Sequence, residues 1–289
     1  MNVVKNLPAL VKILGSLPGL HTLKKQIDSS REAGDFEAER AAILGATKKW
    51  GNHLKKSFDI DITVEGKENL LTEGPVVYIC NHQSFADIPV LCAVLDTVQF
   101  AFVARENLKQ VPIYGEWMRR IRSVMIKRED PRAALRAISE GVDLIKQGFS
   151  LLIFPEGTRA KCSQMAEFKA GSIKLATKPG VPIIPVSING SYECFETTEV
   201  FRGKCPVGVI IHPPIETAEL SRQEEKALTG KVQKIVFDGL VELCERMGTP
   251  IPRDPSELAA EAAATEAAAK AATEAETETA QSESETAAE

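Results

Sequence analysis

Beyond Ile60 the chain alternates short apolar runs, rich in valine and isoleucine, with longer stretches whose apolar residues recur every three or four positions. The runs Val76 to Cys80, Val98 to Ala104, Ser123 to Ile126, Ser150 to Phe154, Ile183 to Ile188 and Val207 to Ile211 are continuous rather than alternating. That is the pattern of strands covered on both faces. Between them, Asp130-Pro131 supplies an N-cap and a first-turn proline, and Gly148 a stop, around the stripe Leu135, Ile138, Val142 and Ile145. A last helix opens at the capping box Ser221 to Glu224 and runs to about Met247. Strands alternating with helices predict an α/β fold: a central, mostly parallel or mixed sheet flanked by helices.

The first part of the chain follows another period. Residues 7 to 20 form an apolar patch, and Ile43, Thr47, Trp50, Leu54 and Phe58 draw one stripe down a helix covering residues 20 to about 56. An N-terminal two-helix segment is predicted, with a break in the second helix between Asp28 and Phe36. Lys12 interrupts the patch, which falls short of the roughly 18 to 20 apolar residues that span a bilayer. With Lys5, Lys12, Lys24 and Lys25 on or near it, the patch reads either as a helix lying in a headgroup layer or as one packed on the main domain. After Pro255 the sequence is almost wholly alanine, glutamate and threonine and cannot bury a core. Three regions result: a helical hairpin and candidate membrane-surface anchor at 1–58, a catalytic domain at 59–254, and an acidic low-complexity tail at 255–289.

Charge sharpens this division. The tail carries nine glutamates against one lysine, so it holds −8 of the net charge of −5, and residues 1 to 254 carry +3. A mildly basic body suits an anionic lipid surface or a phosphate-bearing substrate and is too weakly charged for a nucleic-acid partner. Six cysteines, without a Cys-x-x-Cys pair, speak against zinc and a disulfide framework and for a reducing, cytosolic setting. No metal site is expected.

The candidate chemistry begins directly after the run ending at Cys80, in Asn81-His82-Gln83-Ser84-Phe85-Ala86-Asp87. On a continuous helix His82 and Asp87 point about 140° apart, so they meet only if the chain turns between them. A strand end followed by a helix start provides that turn, at the sheet edge where α/β folds bind ligands. Asp87 then orients the imidazole and leaves its other nitrogen to act as general base. Ser84 reads equally as a helix N-cap, and no Gly-x-Ser-x-Gly elbow is present.

A second loop, Phe154-Pro155-Glu156-Gly157-Thr158-Arg159, also follows a strand. Arg159 offers a planar fork for a phosphate, and Glu156 can hold the loop or a cation in place. Arg105, Lys127, Arg128 and Lys169 stand after strands or loops as well; a parallel sheet gathers them near His82, whereas singly each is as well explained as a solvated surface residue. Val181-Pro182-Ile183-Ile184-Pro185 carries no reactive group and reads as a proline-edged apolar wall for an acyl chain.

These blocks, in this order, resemble the glycerolipid acyltransferase family that contains the 1-acyl-sn-glycerol-3-phosphate acyltransferases. The likeness covers roughly Val76 to Gly190. Asn81 to Asp87 looks like that family's first motif, Arg128 falls at the second, Phe154 to Arg159 at the third and Val181 to Pro185 at the fourth. The resemblance implies acyl transfer from acyl-CoA or acyl carrier protein to the sn-2 hydroxyl of lysophosphatidate, giving phosphatidate at the cytoplasmic face of a membrane to which the protein is peripheral or monotopic. It implies no cofactor beyond the acyl donor. His82 and Asp87 would be catalytic, and Arg105, Arg128, Glu156, Gly157, Thr158, Arg159 and Lys169 would bind substrate. Ser123 and Lys127 replace a glycine and an aspartate frequent in the second motif, Ala160 a serine, and Arg105 a lysine, which leaves the acceptor less defined. Glycerol-3-phosphate or another lysophospholipid are alternative acceptors, and a non-catalytic lipid-binding protein is the alternative from another class.

Overall fold

The computed structural model describes residues 6–265 apart from 112, 128 and 129. The expectations for Lys5, Arg128 and residues 266–289 lie outside the described residues. Among the described residues seven strands form one sheet: β1 (Ile60–Glu65), β2 (Val77–Cys80), β3 (Phe100–Arg105), β4 (Val124–Ile126), β5 (Ser150–Ile153), β6 (Ile183–Asn189) and β7 (Cys205–Ile211), in the order β1-β7-β6-β2-β5-β3-β4. All neighbours pair in parallel except β6 with β7. Strands β2 to β6 therefore run the same way, and their carboxyl ends share one edge of the sheet.

Among the described residues up to 252 there are eight α-helices: α1 (Leu7–Gly15), α2 (His21–Glu32), α3 (Phe36–Ser57), α4 (Asp87–Val94), α5 (Tyr114–Arg120), α6 (Pro131–Lys146), α7 (Lys174–Thr177) and α8 (Arg222–Met247). Helix α8 packs on β6 and β7, and α6 on β4 and β5. Helix α3 lies against α4, and glycine is required where they cross: a Cβ on Gly51 would stand 2.6 Å from the Ala93 main-chain nitrogen. Val77 to Cys80 are wholly buried, as expected of a strand at the centre of a covered sheet. The segment 253–265, a separate unit, is helical from 255 to 265.

The break expected between Asp28 and Phe36 lies between α2 and α3, where Asp35 caps α3 by accepting the Ala38 N–H. Several other expectations need correction. Strand β1 does not belong to the set of continuous runs: its apolar residues Ile60, Ile62 and Val64 alternate with polar ones, because it is an edge strand with one face outward. Leu135 is 71% exposed although it continues the buried stripe of α6. Ile183, Ile184 and Val186 are fully buried in β6 between β2 and β7. The proline-edged run is core, not a wall open to an acyl chain.

Candidate active site

Strand β2 ends at Cys80, and the chain turns through residues 81–86 before α4 starts at Asp87. Asn81 anchors this turn to β6 by giving its amide N–H to Ile188 O (2.9 Å) and accepting the Ile188 N–H (2.8 Å). The turn brings His82 Nδ1 within 2.6 Å of Asp87 Oδ2. The same oxygen accepts the main-chain N–H groups of Gln83 (2.8 Å) and Ser84 (3.0 Å). Asp87 is fully buried, and a buried charge is tolerable when surrounded by donors in this way. Because a carboxylate only accepts, the contact puts the imidazole proton on Nδ1 and leaves Nε2 as the basic nitrogen. The imidazole stacks on Phe154, with ring centroids 3.9 Å apart and planes 14° from parallel. Ring position and plane are thus both fixed. Ser84 Oγ accepts the Ala86 N–H at 3.2 Å, so this hydroxyl shapes the turn and α4 has no side-chain cap.

The second loop follows β5, the neighbour of β2. Glu156 is turned inward. The residue is 5% exposed, and it accepts the His82 N–H (2.6 Å) on one side-chain oxygen and the Ala166 N–H (2.8 Å) on the other. Its task is to hold two loops, and burial pushes its pKa up to about 8 against the pull of those two N–H donors. The clasp is completed by Ala160 N–H to His82 O (2.8 Å) and Lys161 N–H to Gln83 O (3.1 Å). Gly157 has φ +79, and a Cβ there would stand 2.8 Å from Lys169 Nζ, so the lysine crosses directly over the glycine. Thr158 is exposed at the loop's tip.

Arg159 donates to Glu196 Oε1 at 2.5 Å and lies 3.6 Å above the Phe85 ring. Glu196 also accepts the Phe85 N–H at 3.3 Å, and its side chain is only 4% exposed. The guanidinium is therefore pinned between an aromatic face and a carboxylate. Arg105 and Lys127 are exposed at the ends of β3 and β4, two and three strand spacings from β2, about 10 and 14 Å. They share the sheet edge with His82, and Arg105 follows the strand that pairs directly with β5, from which the Arg159 loop leaves.

Sequence reasoning brought together His82, Asp87, Glu156, Gly157, Arg159 and Lys169. It missed Phe154 as the support of the imidazole ring, Glu196 as the partner of Arg159, and Ser191, whose hydroxyl donates to Asp87 Oδ1. Ser191 follows β6 as His82 follows β2, so the strand-end rule was a signal for it. Glu196, distant in sequence from Arg159, has none.

The acyltransferase family's sequence model matches residues 61–189. The chain is 37% identical over 156 residues to a chloroplastic 1-acyl-sn-glycerol-3-phosphate acyltransferase of Arabidopsis thaliana, an alignment covering 53% of this chain and 43% of that protein. It is 30% identical over 186 residues to the 1-acyl-sn-glycerol-3-phosphate acyltransferase of Borreliella burgdorferi, covering 64% of this chain and 72% of the relative. The chain thus spans less than half of the plant relative and about seven-tenths of the bacterial one. A crystal structure of the 1-acyl-sn-glycerophosphate acyltransferase PlsC from Thermotoga maritima superposes with a TM-score of 0.62 at 29% identity, over 79% of this chain and 97% of that one. Ordered motifs, a shared fold and similarity over most of a bacterial relative agree: the chain belongs to the acyltransferase family.

Proposed function

We propose that this protein transfers an acyl group from an acyl thioester, carried by coenzyme A or acyl carrier protein, to the sn-2 hydroxyl of 1-acylglycerol-3-phosphate. The observation that carries the reading is the His82–Asp87 pair, its basic Nε2 left unengaged by Asp87, at the sheet edge that also presents Arg159. The relatives' names support the acceptor.

A lipid hydroxyl with a pKa near water's 15.7 lies about nine units above histidine, so complete deprotonation before attack would cost about 12 kcal/mol. Proton removal accompanies attack instead. His82 Nε2 takes the hydroxyl proton as the oxygen adds to the thioester carbonyl, and Asp87 stabilises the imidazolium that forms. The tetrahedral species then collapses, the thiol departs with a proton from His82, and the new ester remains. Arg159, presented edge-on by Phe85 and Glu196, binds the acceptor's phosphate with its remaining N–H groups; Lys169 adds positive charge beside it.

The substrates are amphipathic, and α1 supplies a surface for them. Leu7, Leu10, Val11 and Leu14 are all exposed at intervals of three and four, while Ala9 and Ile13 on the other side pack inward. Val111 and Ile113 are exposed as well, and Ile113 lines an apolar groove with Leu14, Leu17 and Trp117. Among the described residues no helix is long and apolar enough to cross a membrane. The reading is therefore of a face that sinks into the headgroup layer of an anionic membrane. Lys12 donates one N–H to Ser57 O and Lys24 one to Glu116 Oε1, and both ammonium groups stay exposed with further donors for a headgroup.

Purified protein incubated with labelled acyl-CoA or acyl carrier protein and a panel of acceptors tests the reading. Ester formation on 1-acylglycerol-3-phosphate is expected. Transfer only to glycerol-3-phosphate or another lysophospholipid would replace the acceptor, and lipid binding without any ester would reduce the protein to a carrier.

A further inference from the structure

We propose that Ser191 is a positioning residue of the His82–Asp87 pair, holding Asp87 through the carboxylate oxygen that His82 does not use. The proposal rests on the acyl-transfer reading of that pair. Oδ2 of Asp87 takes its three hydrogen bonds from residues 82–84, within its own turn. Oδ1 receives the Ser191 hydroxyl, which comes from a different strand end. Ser191 is fully buried and stands at the start of a 3-10 turn, Ser191–Cys194, directly after β6. Its place is fixed by Gly190, which has φ +88 and comes so near β7 that a Cβ would stand 2.4 Å from Pro206 O. The hydroxyl has one proton. Oδ1 is nearer than the alternative acceptor, Gln83 Oε1 at 3.4 Å, whose amide group is already turned toward Asn189.

Two effects follow from this placement. Losing the hydroxyl leaves Oδ1 buried without that donor, and the carboxylate can then rotate toward the donors on Oδ2, moving the imidazole it orients. The hydroxyl also draws negative charge from the carboxylate, so its loss strengthens the pull of Asp87 on the imidazolium and raises the pH at which His82 gains its proton. Other titratable groups act on the pair from neighbouring elements. Glu156 reaches it from the β5 loop, Cys80 from β2 and Cys194 from the 3-10 turn; burial keeps both thiols protonated, and Glu156 is common to variant and wild type.

The test is Ser191→Ala, with Ser191→Cys as a partial donor, read by NMR titration of the His82 ring (assigned with His82→Asn) and by pH profiles of turnover. The expected result is an upward shift of the His82 titration in Ser191→Ala. Its kcat should fall roughly 10-fold with little change in the acceptor's KM, and Ser191→Cys should lie between. An unshifted titration in a folded Ser191→Ala protein overturns the proposal, whether or not turnover falls, because a merely structural serine would leave it unmoved. The titration needs no substrate. A wild type without acyl transfer but with the shift would refute the acyl-transfer reading and leave the positioning intact.

Discussion

Glu156 and His82 stand 74 positions apart, yet the carboxylate of one holds the main-chain N–H of the other at 2.6 Å. The loop after β5, which carries Arg159, is thereby fastened to the turn after β2, which carries His82. Removing the carboxylate strands two N–H groups, of His82 and Ala166, at a cost of about 1 to 3 kcal/mol each. Glu156→Ala should therefore lower unfolding stability by roughly 2 to 6 kcal/mol and reduce turnover with every acceptor, measured by urea denaturation and by the transfer assay.

Glu156 also makes stability depend on pH. Its proton is held more tightly in the folded state, at about 8, than at the ordinary value of 4.5. Its contribution is then full below about pH 4.5 and is lost as pH rises toward 8. Glu156→Gln cannot titrate there, so the stability difference between wild type and variant should move against wild type by on the order of a few kcal/mol between pH 5 and 8.5. Denaturation curves at both pH values check this.

Asp87→Asn keeps the shape of the site but removes the charge. The amide oxygen can take the place of Oδ2, and the NH2 can face Ser191, whose hydroxyl is able to accept. The variant should fold normally and bind acceptor as wild type does, while kcat falls on the order of 10²- to 10⁴-fold because the imidazolium is no longer stabilised.

Arg159→Lys separates phosphate recognition from folding, since it leaves a cation for the buried Glu196 but lacks the planar fork that stacks on Phe85. The KM for lysophosphatidate is expected to rise about 10-fold or more, with the acyl-donor KM unchanged. A change confined to the acyl donor would contradict the assignment.

Val11→Asp probes the lipid-facing helix. Val11 is 61% exposed, so folding should be unaffected, while sedimentation with anionic vesicles should weaken and turnover of a short-chain, monomeric acceptor persist.

The sequence disclosed those features that local physics sets. Continuous apolar runs located six strands, Asp130 and Ser221 marked helix starts, and the need for a turn between His82 and Asp87 predicted the one observed. Long-range pairings stayed hidden. Nothing in the order of residues says that Glu196 meets Arg159, or that Glu156 reaches backward to His82 rather than outward to a ligand. Leu135 continues a helical stripe yet is exposed, because helical period fixes the direction of a side chain and not whether a neighbour lies there.

The central claim is that His82 removes the proton from the attacking hydroxyl. Single-turnover acyl transfer by purified His82→Ala, with folding confirmed by circular dichroism, tests it most directly. Ester formation should fall by on the order of 10³-fold or more while lysophosphatidate binding remains. Turnover at the wild-type rate would contradict it.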